Sequence, residues 1–89
     1  MAQEQIELDL DGKVVSVPRE VVGELAAAAA TQAGVSARHR DLSLVLGRAL
    51  ESGSVTLGQG EVRALLAVIE EEHPDRFGPA GAELVRAAA

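Results

Sequence analysis

The chain has 89 residues, no cysteine, Phe77 as its only aromatic residue, and a formal charge of −6 with 47% hydrophobic residues. That length holds one domain, 1–89, and the missing cysteines exclude disulfides and thiolate metal sites. The acidic balance argues against broad binding to nucleic acid or anionic membranes, and no apolar run approaches the roughly 20 residues that span a bilayer.

In chain order, the N-terminal Met1–Gln5 lacks the basic and apolar regions of a secretory leader, so a cytoplasmic location is expected. Gln5–Leu10 alternates Ile6, Leu8 and Leu10 with Glu7 and Asp9, the period of a strand with one wet face. Asp11–Gly12 is a strong hairpin signal, because a type I′ turn needs positive φ at both central positions. A two-residue loop sets Leu10 opposite Lys13, Leu8 opposite Val15 and Ile6 opposite Val17, with Val14 falling on the other face opposite Asp9.

Pro18 suits a first helical turn, where its missing N–H costs nothing. A helix from about Pro18 to Ala33 follows, with Val21, Val22, Leu25, Ala28 and Ala29 on one side and Gly34 as the expected residue after its end. Ser36 is placed to cap a second helix, 37–52, with Asp41 as a later rival cap. Leu42, Val45, Leu46, Ala49 and Leu50 form its apolar side. Leu44 falls outside that stripe and is a candidate contact residue, and Gly53 ends the helix. Ser54–Leu57 is a β-branched run whose Val55–Leu57 can add a third strand.

Gly58 then opens a helix over Glu61–Glu72, with Glu61 placed to satisfy free N–H groups at its start. Val62, Leu65, Leu66 and Ile69 recur at helical spacing, and Leu66, in the middle, is expected to be almost fully buried. Pro74 forbids continuation. His73–Arg76 reads as a turn, and Phe77–Pro79 leads into a short last helix carrying Leu84 and Val85, with a frayed alanine end. The fold class is therefore α+β: an N-terminal β-hairpin, joined by a third strand at 55–57, packed on three helices plus a short C-terminal helix.

Sites are sparse. His39 and His73 lie on separate segments with no second imidazole at helical metal-ligand spacing, and both read as surface residues. No nucleophile elbow or phosphate loop occurs, and Gly58-Gln59-Gly60 reads as a plain helix entry. No catalytic, cofactor-binding or metal-binding residue is assigned. Glu70, Glu71 and Glu72 place three carboxylates near a helix C-terminus, an acidic contact for a basic partner that Asp75 would extend. Together with Leu44 they are the candidate partner-binding residues.

The string Ala30–Ser36, A-x-x-x-G-V-S, resembles the turn of helix-turn-helix repressors, in which the alanine packs between helices and the glycine makes the bend. The resemblance covers only those residues. Where the recognition helix of that family carries buried apolar residues, this chain has Arg40 and Ser43. It implies a DNA-binding regulator that uses helix 37–52, with Arg38, His39 and Arg40 contacting phosphates. The order hairpin, two helices, strand, helix is also similar in layout to the BTB/POZ interaction fold, with Val55–Ile69 as the matching segment and no motif specific to that family.

The expected function is a non-enzymatic protein–protein interaction module, a dimeric adaptor or regulatory subunit. Its partners are itself and another protein, with no membrane and no cofactor. A thin aliphatic core on a short chain favours self-association. The expected dimer buries Leu44 and part of the Ala26–Ala30 surface.

Overall fold

The computed structural model describes residues 5–32, 34, 36–72 and 74–88. Strands β1 (Gln5–Leu10) and β2 (Lys13–Pro18) lead into helices α1 (Arg19–Thr31) and α2 (Ala37–Ser52). Strand β3 (Ser54–Leu57) and helix α3 (Gln59–Glu71) follow. A 3₁₀ turn (Pro74–Phe77) then connects to helix α4 (Gly78–Ala88). This is the α+β arrangement expected from the pattern, with the third strand present.

The hairpin has the expected register: Ile6 pairs with Val17, Leu8 with Val15, and Leu10 with Lys13. Asp11 and Gly12 carry φ of 54° and 103°, the left-handed values a two-residue turn needs. The Asp9 carboxylate accepts from the Gly12 N–H at 2.7 Å, which tightens the turn. β3 pairs with β1 in parallel, Leu8 with Val55 and Leu10 with Leu57, so the sheet order is β2-β1-β3. One face of the sheet presents Ile6, Leu8, Leu10, Val15, Val17 and Leu57 to the helices, and all are buried. The other face stays wet, with Glu7, Ser16, Ser54 and Thr56 exposed.

Helix α1 packs along α2 through Val22, Leu25, Ala28 and Ala29, all buried. α2 answers with Leu42, Leu46 and Ala49, while Val45 and Leu50 pack on the margin. Its start is capped as expected, the Ser36 hydroxyl accepting from the His39 N–H at 3.3 Å. Its end is Gly53 at φ 90°, whose N–H donates to the Ala49 carbonyl at 2.8 Å. α3 is entered as expected too: the Gly58 N–H donates to Glu61 Oε1 at 2.8 Å.

Several expectations are corrected. Pro18 is the last residue of β2, paired with Gln5, and the cap of α1 rather than its first helical residue. A ring-fixed φ of −55° serves an extended strand end equally well. α1 ends on Gln32, whose N–H donates to the Ala29 carbonyl, so Gly34 is not the residue that terminates it. The buried arc of α3 is Val62, Ala64, Leu65, Val68 and Ile69. Leu66 is only half-buried, in a cleft with Leu10, Lys13, Arg63 and Ala87. It sits about 100° around the helix from Leu65, just beyond the arc that α1, α2 and α4 cover. Finally, α4 holds its helix through Ala88, and Ala87 and Ala88 pack against the core, so that end is not frayed within the described residues. His73 lies outside them.

Candidate contact surfaces

Among the described residues, three large apolar side chains stand in solvent: Val14 at 60%, Leu44 at 59% and Val85 at 41% exposure. Leu44 is held outward by the helical period, because Leu42 and Leu46 on either side of it claim the core. Its exposed neighbours one turn away are Arg40, Asp41 and Arg48, so Leu44 is an apolar knob flanked by two guanidinium groups and one carboxylate. Arg38 is exposed as well.

His39 differs from the surface residue expected. Its side chain is only 12% exposed. Nδ1 lies 2.8 Å from the Ser36 hydroxyl, and Nε2 lies 3.7 Å from Glu71 Oε1 on α3. Nε2 is buried without a hydrogen-bond partner. The carboxylate that helical spacing along the sequence could not supply comes from tertiary packing of α2 on α3. Among Arg38, His39 and Arg40, therefore, the imidazole is turned inward and only the two arginines face out.

The acidic run is divided among different directions. Glu70 is exposed. Glu71 faces His39, and Glu72 is ion-paired with Arg76 one turn on. Arg76 also approaches Glu24 of α1, with Nε 3.5 Å from Oε1, and its guanidinium lies 5.7 Å from the Phe77 ring centroid. The arginine thus ties the end of α3 to α1 over the sole aromatic residue, which is itself buried. Two of the three carboxylates are engaged within the chain. No sequence spacing announces Arg76 as this clasp, because Glu24 is remote along the chain.

The Ala26–Ala30 surface is also largely occupied. Ala28 and Ala29 are buried in the core of a chain whose α1 packs chiefly on α2, leaving Ala27 and Ala30 in solvent. Small side chains do permit a close helix approach, but the helix approached belongs to the same chain.

Among the described residues no group of three or more His, Asp or Glu side chains is placed to hold a metal ion, and no helix is long and apolar enough to cross a membrane. No protein-family model, curated protein or solved structure matches this chain.

Proposed function

We propose that the chain is a non-enzymatic protein–protein interaction module, a small dimeric adaptor or regulatory subunit working in the cytoplasm. The observation that supports this reading is Leu44, a large aliphatic side chain 59% exposed between Arg40 and Arg48. Such a side chain contributes nothing to the core of its own domain. Against a partner it supplies an apolar anchor with two arginines beside it and one aspartate, Asp41, a turn before it. The partner that fits is a protein surface with an apolar hollow and acidic margins, whereas the free Glu70 suits a basic contact elsewhere. The cysteine-free composition is compatible with a reducing compartment.

Leu44→Glu tests the reading. The variant should keep the wild-type circular dichroism spectrum and lose a protein that wild type captures stoichiometrically from its native lysate. If the same proteins bind both forms, Leu44 is not the anchor. The DNA-binding alternative makes the opposite prediction, an affinity for duplex DNA that falls steeply with salt. The inward turn of His39 and the carboxylate of Glu71 beside it weigh against it.

A further inference from the structure

We propose that a second copy of this chain docks along the open edge of β2, strand against antiparallel strand about a two-fold axis at Val15, merging the two sheets into one. This rests on the dimeric reading above and names the surface that serves it.

The edge itself is the first observation. In an antiparallel pair the main-chain groups of alternate residues point toward and away from the neighbour. A two-residue turn closes on a hydrogen-bonded pair, here Leu10 and Lys13, so Lys13, Val15 and Val17 bond to β1. Consistently, the alternate β1 residues turn the other way, toward β3, with the Glu7 N–H donating to the Gly53 carbonyl at 3.0 Å. Val14 and Ser16 therefore aim their N–H and C=O groups out of the sheet. An exposed strand edge of this kind is a template for another chain unless it is blocked. The stretch Val14–Val17 carries no charge, proline or bulge to block it. The opposite edge is less fit: β3 has only four residues, and its outward Ser54 carbonyl already accepts from Ser52 Oγ at 2.8 Å.

The second observation is what flanks the edge. An open groove of about 450 Å³ runs beside β2, lined by Val14, Val15, Ser16, Glu83, Arg86 and Ala87. Glu83 also lines a neighbouring hollow with Ser16 and Pro18, while Ala87 lines one with Lys13. α4 thus runs against the direction of β2, with its acid at the Pro18 end and its base toward Val14. A two-fold contact needs a self-complementary surface. With the axis at Val15, Val14 pairs with the partner's Ser16, and Lys13 lies opposite the partner's Val17. The outward N–H of Val14 then donates to the partner's Ser16 carbonyl, and the N–H of Ser16 donates to the partner's Val14 carbonyl. Lys13 arrives at the end where the partner's Glu83 stands. Arg86, on the Val14 side, faces the end that carries the partner's Glu83 too. Among the described residues, Lys13, Glu83 and Arg86 form no ion pair within their own chain. The pairing also covers Val14, the most exposed large apolar side chain among the described residues. An unrelated extended peptide would use the same main-chain groups, but nothing in it would require this matched order of charges.

The test is sedimentation equilibrium from micromolar to about 100-fold higher concentration, with amide hydrogen exchange read by NMR across the same range. The expected species has twice the 9.2 kDa monomer mass, with the Val14 and Ser16 amides protected only in the dimer. Ser16→Pro removes an outward N–H that the monomer does not use, which an edge strand tolerates, and should weaken the dimer about 100-fold or more. Should that variant unfold, charge reversal decides. Glu83→Lys should weaken the dimer about 10-fold, and adding Lys13→Glu should restore it, although the two residues stand at opposite ends of β2 in one chain. A dimer indifferent to all three variants overturns the β2 edge and leaves the dimeric reading standing. A monomer throughout overturns both. A monomer whose Val14 and Ser16 amides become protected only on adding an unrelated synthetic alternating Val-Thr hexapeptide overturns the self-pairing and makes the edge a peptide-docking site.

Discussion

Leu65→Ala and Leu66→Ala differ by one position and should differ several-fold in cost. Leu65 is 0% exposed at the centre of the α3 arc, so truncation leaves a cavity bounded by close-packed neighbours. Such a loss costs about 2–5 kcal/mol, and about 3 kcal/mol is a fair value where the surrounding sheet and helices hold the space open. A chain of this length has a total stability of about 4–13 kcal/mol, so Leu65→Ala consumes a large share of it. Leu66 is half-buried in an open cleft, where truncation lets water in and leaves no void; about 1 kcal/mol follows. At about 4–8 °C per kcal/mol for a domain this small, thermal midpoints should fall by roughly 12–24 °C for Leu65→Ala and by roughly 4–8 °C for Leu66→Ala. Far-UV circular dichroism melts of the two variants and wild type supply the comparison. If Leu66→Ala proves as costly as Leu65→Ala, or costlier, the phase assigned to α3 is wrong.

Gly12→Val should destabilise the domain by about 1–2 kcal/mol, because a β-branched residue is strained at φ 103°; an unchanged urea midpoint would place the turn elsewhere. Ser36→Ala should cost about 1 kcal/mol through loss of the α2 cap, and Ser36→Asp should recover most of it. If alanine is tolerated without loss, the His39 N–H finds another acceptor and the cap is dispensable.

The hairpin register was legible to the residue, though not its end at Pro18, because a period of two, a D-G turn and the apolar faces constrain one another, and a slip by one would have turned Leu8 and Val15 outward. The helix starts at Ser36 and Gly58 were legible for a similar reason: capping chemistry is local. The phase of α3 was harder. Val62, Leu65, Leu66 and Ile69 satisfy one helical stripe, and Val62, Leu65, Val68 and Ile69 satisfy another almost as well. Choosing between them requires knowing that α4 returns to cover one flank. Burial of Ala28 and Ala29 was visible as a small-residue face, but not whether the facing helix would be intramolecular. Least legible were the side chains joined across the fold. His39 with Glu71, and Arg76 with Glu24, meet only because α2 packs on α3 and the 3₁₀ turn passes beside α1. The open edge of β2 follows from hairpin register, but its flank of Glu83 and Arg86 depends on where α4 comes to rest.

The central strand acquires its two neighbours at very different moments of synthesis. β2 follows β1 after two residues, so the hairpin can close as soon as it leaves the ribosome, within microseconds. β3 emerges only after α1 and α2 are both made. During that interval the nascent chain carries β1 with an unclaimed flank, a surface to which other unfinished chains could adhere. The wet-face side chains beside that flank are Glu7 and Asp9, and their charges act as gatekeepers until Gly53 and Leu57 arrive to take the Glu7 and Asp11 amides. Neutralising Glu7 would leave the finished sheet little altered and expose its precursor to aggregation, so that carboxylate protects an intermediate more than a product, while Asp9 also holds the turn through the Gly12 N–H.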